Sequence, residues 1–266
     1  MQTIRLKSAG SDVAELQRLL NKWGYRVAET GLFDGQTDAA VREFQKRGRL
    51  TADGIVGRRT WELLSDEYAR MLEPLRLKEE DFIRCAETLG VEVAAVKAVQ
   101  EVETGGRGGF FAPGRPAILF EGHIFWNQLK KNGKRPEDYL TGNGDILYPK
   151  WTKEHYKGGV GEYARLHRAM EIDETAAFCS ASWGLFQIMG FNHAVCGCKD
   201  VKGFVARMTA DEGSQLDLFS VFLKGNGWDR YLRTLDWKEF ARRYNGPAYA
   251  QNRYDSRLAS AYAKYK

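Results

Sequence analysis

Leu16, Leu19, Leu20 and Trp23 recur at i, i+3, i+4 and i+7, the spacing of one apolar face on a short helix. Asp12 followed by Glu15 predicts a capping box at its start, and Gly24 its end. Thr30-Gly31-Leu32-Phe33-Asp34-Gly35 reads as a turn with Gly where positive φ is needed. A second helix follows, with Val41 and Phe44 turned inward. The pattern then partly repeats. Val13-x-x-Leu16-Gln17 returns 28 residues later as Val41-x-x-Phe44-Gln45, and Phe33-Asp34-Gly35-x-Thr37 is echoed by Asp53-Gly54-Ile55-Val56-Gly57-x-x-Thr60-Trp61. Each unit is too small to bury its own apolar face, so the two are expected to pack together.

Polarity is mixed over residues 66–77, where we place a linker with a helical extension that breaks before Pro74. From Lys78 the helical period resumes. Phe82, Cys85, Ala86 and Leu89 form one stripe closed by Gly90, and a second helix over about Val91–Glu103 is stopped by Gly105-Gly106. Val96, Val99 and Glu103 share its buried face, whereas Glu101 stands four residues after Lys97, the spacing of an exposed ion pair. An acid on the apolar side of a helix end is costly unless neutral or hydrogen-bonded. Desolvation raises its pKa, as a general acid near neutral pH requires, although a structural hydrogen bonder would look the same.

Residues 115–126 alternate in the manner of a strand. Leu119, Glu121, His123 and Phe125 lie on one face, Ile118, Phe120 and Ile124 on the other. Glu121 and His123 therefore read either as a site wall or as an edge strand paired with a neighbour. Two further segments set amide and hydroxyl groups beside apolar runs: Ser182-Trp183-Gly184-Leu185-Phe186-Gln187-Ile188-Met189 and Arg243-Tyr244-Asn245-Gly246-Pro247. Such groups suit sugar hydroxyls and N-acetyl groups, which need oriented hydrogen bonds beside apolar surface.

Composition narrows the classes. At 266 residues with 43% hydrophobic and 28% charged side chains, the chain has room for two unequal domains with their own cores. The net charge of +5 is divided as 11 basic and 9 acidic side chains in residues 1–66 and 29 and 26 beyond, so neither part is a basic arm and nucleic acid is not an expected partner. Four Cys make no disulfide scaffold. No apolar run is long enough to span a bilayer, and Met1-Gln-Thr-Ile-Arg-Leu-Lys7 opens without a secretory h-region. We expect a monomer, made in the cytoplasm, without membrane insertion.

Two resemblances gather these motifs. Asp12-Val-x-x-Leu-Gln17, Gly31-x-Phe-Asp34-x-x-Thr37-x-x-Ala40-Val41-x-x-Phe44-Gln45 and Asp53-Gly54-x-Val56-Gly57-x-x-Thr60-Trp61 resemble the peptidoglycan-binding domain attached to many cell-wall hydrolases. Val99-x-x-Val-Glu103-Thr104-x-Gly-Arg107-Gly, Pro116-x-Ile-Leu-Phe-Glu121-x-His123-x-Phe125, Ser182-Trp-Gly-Leu-Phe-Gln187-Ile-Met-Gly190-x-Asn192 and Tyr244-Asn245-Gly-Pro-x-Tyr249 resemble the N-acetylmuramidase domain of modular phage endolysins, in the lysozyme-like superfamily. Thr104 replaces the Ser of the wider superfamily but keeps the hydroxyl. The resemblance implies a mainly α (α+β) protein: a three-helix wall-binding domain over residues 1–65, and a larger lysozyme-like helical domain with a short β-element over 78–266. It also implies host cytoplasm until lysis as the location, then the periplasm and cell wall.

The implied chemistry cleaves the β-1,4 bond between N-acetylmuramic acid and N-acetylglucosamine in bacterial peptidoglycan. Glu103 gives a proton to the leaving oxygen and Glu121 is the second carboxylate, with Thr104, Arg107, His123, Ser182, Gln187, Tyr244 and Asn245 around the substrate. Attack by the substrate's own 6-hydroxyl would instead give a lytic transglycosylase. No cofactor or metal is expected. A zinc amidase or peptidase needs three ligands, and Glu121-x-His123 offers two without a His-Glu-x-x-His. The cluster His193-x-x-Cys196-x-Cys198 with Cys179 upstream suggests a zinc site, a reactive thiol, or simply buried thiols. Gly105-Gly-Arg-Gly-Gly109 lacks the Lys-Ser/Thr of a phosphate loop and reads as a loop past the catalytic helix, with Arg107 near the cleft.

Overall fold

The computed structural model of the protein describes residues 3–48, 50–105, 107–159, 161–246 and 250–266. The chain divides between Pro74 and Leu75 into two compact units, with the short segments 111–113 and 157–161 grouped with the first.

The first unit holds α1 (Ser11–Lys22), α2 (Gly35–Arg47) and α3 (Arg58–Leu72), around a core that includes Val13, Leu16, Leu20, Phe33, Val41, Phe44, Val56 and Leu64. The repeat seen in the sequence is built on two buried amides. Gln17 Oε1 accepts from Gly31 N (2.9 Å) while its Nε2 donates to Leu32 O (2.9 Å) and Thr37 Oγ1 (3.1 Å). Gln45 does the same one repeat later, with Gly54 N (2.9 Å), Ile55 O (3.0 Å) and Thr60 Oγ1 (3.3 Å). Each glutamine thus satisfies backbone groups of a turn whose Gly has positive φ, a conformation that glycine adopts without strain. The capping box does not form. Gly10 is the N-cap residue of α1, without a side-chain bond, and Glu15 turns to Arg18, its Oε2 accepting from Nε at 2.7 Å. Residues 66–72 continue α3, and a 3-10 turn over Glu73–Leu75 contains Pro74.

The second unit is mainly helical: α4 (Glu79–Leu89), α5 (Val93–Thr104), α6 (Gly122–Lys131), α7 (Gly161–Cys179), α8 (Val201–Ala210), α9 (Glu212–Gly225), α10 (Asp229–Arg233), α11 (Trp237–Asn245) and α12 (Tyr254–Tyr265). α7 is interrupted at Asp173, whose carboxylate accepts from Ala176 N (2.8 Å) and so caps its second segment. The strands after α5 are short: β1 (Phe110–Ala112), which runs into the segment grouped with the first unit, then β2 (Arg115–Pro116), β3 (Ile118–Phe120), β4 (Ala181–Trp183) and β5 (Ile188–Met189), the last three forming an antiparallel sheet in the order β3-β4-β5. No helix of the described residues is long and apolar enough to cross a membrane.

Two expectations need correcting. The strand read over residues 115–126 ends at Phe120, and Gly122 opens α6, so His123 lies in a helical first turn. Phe125, Trp126 and Leu129 supply a buried helical face that the shorter alternating pattern concealed. A Cβ at Gly122 would lie 2.7 Å from Ile146 O, so only glycine allows this close approach. Glu101 does not pair with Lys97. It meets Lys264 Nζ (2.7 Å) and Tyr265 Oη (2.5 Å) on α12, while Lys97 turns to Glu79 (2.8 Å). Packing of α12 on α5 offered better-placed partners than the local i,i+4 pair.

Candidate active site

Glu103 occupies the last turn of α5, and Gly105 in left-handed conformation stops the helix directly after it. Gly106 lies outside the described residues. Burial pushes the Glu103 carboxyl up to about 7; the hydrogen bond from Asn245 and the charge of Arg257 oppose that rise. Asn245 Nδ2 donates to Glu103 Oε1 at 3.0 Å, from the end of α11. A carboxyl whose pKa is raised by desolvation and limited by one oriented amide is half protonated near neutral pH. Asn245→Ala is expected to push it further up, by roughly tenfold in the ionisation constant, because the lost bond favours the charged form. A carboxyl-resolved NMR titration measures this, and an unchanged midpoint would disprove the coupling.

Thr104 is 2% exposed and its hydroxyl accepts from Gln100 Nε2 (3.4 Å) within the last turn of α5. Arg107 is exposed and curls back, its backbone N and Nε both donating to Thr104 O at 3.1 and 3.2 Å.

Tyr244 is held from several sides. Its hydroxyl donates to Phe186 O (3.1 Å), and its ring stacks on Phe240 and meets Phe219 edge-on. Burial, and then the nearby Glu103, hold its pKa well above the ordinary tyrosine value. The helix end carrying Asn245 is thereby tied to the β4–β5 hairpin. In that hairpin Ser182 Oγ donates to Gln187 Oε1 (2.8 Å), and Gln187 Nε2 donates to Gly184 O (2.8 Å) and Ala117 O (3.2 Å). Gln187 is exposed and has a left-handed backbone (φ +50°), so its amide locks the turn at the protein surface. Gln215 on α9 backs it, with Oε1 accepting from Leu185 N (2.7 Å). A Cβ on Gly184 would meet the Gln215 side chain at 2.7 Å, which explains the glycine there. Pro247 and Tyr249 lie outside the described residues.

Glu121 stands between β3 and α6, its N–H donating to Ser180 O at 2.9 Å. Tyr156 Oη lies 2.8 Å from both carboxylate oxygens and donates to them. His123 Nδ1 lies 3.3 Å from Glu121 Oε2, at an angle that makes no hydrogen bond. Burial, and then the bond to Glu121, push the Tyr156 hydroxyl up to about 12, so it remains a donor. Behind this carboxylate lies a buried ion pair with no counterpart in the sequence reading. Arg165 Nη1 meets Glu162 Oε2 at 2.7 Å, the two side chains 2% and 0% exposed. Glu162 accepts from Phe120 N (3.2 Å), and Arg165 donates to Phe120 O (2.8 Å) and Asp145 O (2.8 Å). Glu162 and Arg165 stand three apart, a spacing that on sequence alone describes a solvated helix face.

The structure therefore brings Asn245 to Glu103, ties Tyr244, Ser182 and Gln187 into one framework, and sets His123 beside Glu121. Among the described residues no group of three or more His, Cys, Asp or Glu could hold a metal ion. Cys85, Cys179, Cys196 and Cys198 are free thiols. Burial pushes Cys196 up to about 12 and raises Cys179, which leaves neither as a nucleophile.

A small helical module, and a lysozyme-like domain with a glutamic acid at a helix end beside an Asn, fit a peptidoglycan hydrolase, the class to which the comparisons point. Residues 92–266 match the N-acetylmuramidase family, and the chain belongs to it. Residues 9–64 match a peptidoglycan-binding domain family. The crystal structure of an endolysin from the Burkholderia phage AP3 is similar at 40% identity and a TM-score of 0.68, over 99% of each chain.

Proposed function

We propose that this enzyme hydrolyses the β-1,4 bond between N-acetylmuramic acid and N-acetylglucosamine, with Glu103 as general acid. The observation that carries this reading is the Glu103 carboxyl, raised to about 7 by burial and oriented by Asn245. In its neutral form it gives its proton to the leaving glycosidic oxygen as the C–O bond breaks. Glu121, accepting from Tyr156, is the carboxylate that takes a proton from the attacking water, and the water oxygen forms the new bond to the sugar carbon. The N-terminal module holds the catalytic domain on the wall. Made in the host cytoplasm, the enzyme meets this substrate only at lysis.

Mass spectrometry of digested peptidoglycan tests the reading. Reducing-end muramic acid is the expected product. Anhydro-muramic ends would replace hydrolysis with transglycosylation, and released stem peptides would replace it with amidase chemistry.

A further inference from the structure

Trp151 is 62% exposed, the most open of the large apolar side chains among the described residues. A single exposed aromatic needs no explanation in itself. This one is tethered by a hydrogen bond. Its indole N–H donates to Tyr156 Oη at 3.2 Å, and the same hydroxyl donates to both oxygens of Glu121 at 2.8 Å. The Tyr156 ring is held in turn by the Arg165 guanidinium, 5.9 Å from its centroid. Trp151, Tyr156 and Glu121 thus form one hydrogen-bonded chain from open indole to half-buried carboxylate. Beside it stands His123, its side chain 21% exposed and its Nδ1 buried 3.3 Å from Glu121 Oε2.

We propose that Trp151, fixed by Tyr156, is a stacking platform for one N-acetylated pyranose of the wall glycan, forming a subsite next to Glu121. A pyranose ring offers an apolar face of C–H groups and an edge of hydroxyl and amide groups. The indole matches the face, and the Glu121 carboxylate and His123 ring match the edge. Fixing the indole in advance removes the ordering cost that a freely rotating side chain would meet on binding. The proposal rests on the muramidase reading above, since it takes the glycan strand as the occupant.

The test uses the full-length chain carrying Glu103→Gln, which stops turnover, and a tetrasaccharide of alternating N-acetylglucosamine and N-acetylmuramic acid as the probe. The Trp151 indole N–H resonance, identified by its loss in Trp151→Phe, is expected to shift on titration. Calorimetry is expected to show about tenfold weaker binding for Trp151→Ala and a smaller loss for Tyr156→Phe, which frees the indole but leaves it in place. Because Trp151 is open to solvent, Trp151→Ala and Trp151→Phe should melt with the parent. Affinity of Trp151→Ala within twofold of the parent, or an indole resonance that the sugar leaves unmoved, overturns the subsite. A Glu103→Gln protein that still lyses walls overturns the muramidase reading instead, so the two failures are told apart.

Discussion

Glu103→Gln is expected to lower the rate of wall lysis by about 10³-fold, within the range general acid catalysis supplies. Glutamine keeps the shape and can still meet Asn245, but it has no proton to give to a leaving oxygen. Turbidity loss of purified walls measures the effect, and activity within a few-fold of the parent would sink the assignment. Glu101→Gln, two residues away in the same helix, should be nearly silent, because Glu101 points to Lys264 and Tyr265. Loss of fold is ruled out by a stability measurement whose sign follows from the same pKa. The Glu103 carboxyl titrates at about 7 in the folded protein against an ordinary 4.5. The stability it contributes is full below 4.5 and is lost as pH rises through 7, up to about 3 kcal/mol. The Gln variant has no charge to bury, so above pH 7 it should melt higher than the parent, with the gap closing toward pH 4. The parent's own lysis rate should fall on the alkaline side of pH 7 as the acid form disappears.

Arg165→Leu is expected to be the most damaging substitution for the fold, costing about 3–5 kcal/mol. It would take the guanidinium away from Glu162, whose side chain is 0% exposed, and would remove the Arg165 donors from Phe120 O and Asp145 O. In a domain of this size the loss should lower the melting temperature by roughly 10 °C. Removing both charges together, as Arg165→Met with Glu162→Leu, should recover part of that loss, because two matched apolar groups need no partner. Urea unfolding of the single and double variants decides it. A single variant within about 1 kcal/mol of the parent would show that the pair is dispensable. Since Phe120 precedes Glu121, residual activity of the folded double variant also reports how far this pair sets the carboxylate's position.

Much of the organisation was legible along the chain because it is locally encoded. The apolar face of α1, the glycine-bearing turns and the repeat of Gln17 as Gln45 depend on residues close in sequence. Glu103 was visible for the same reason: an acid in register with Val96 and Val99 must share their burial. Legibility failed where a partner came from elsewhere. The alternation through Glu121 and His123 also fits the start of a helix, and Tyr148 and Ile146 O around Gly122 decided between them. Glu101 had a plausible local partner in Lys97 and a better one about 160 residues away. Thr104 and Tyr244 looked like substrate contacts, yet the fold turns one inward and binds the hydroxyl of the other to Phe186.

The sequence by itself determined the helical periods and the acid in line with a buried stripe, because spacing along a helix places side chains on a face. Only the tertiary structure decided that Asn245 is the partner of Glu103, that Glu162 and Arg165 are a buried pair behind Glu121, and that Tyr156 and Trp151 stand at that carboxylate. A carboxyl's pKa and a charge's cost depend on desolvation and on partners brought from distant segments, and neither quantity is a property of a residue's immediate neighbours in the chain.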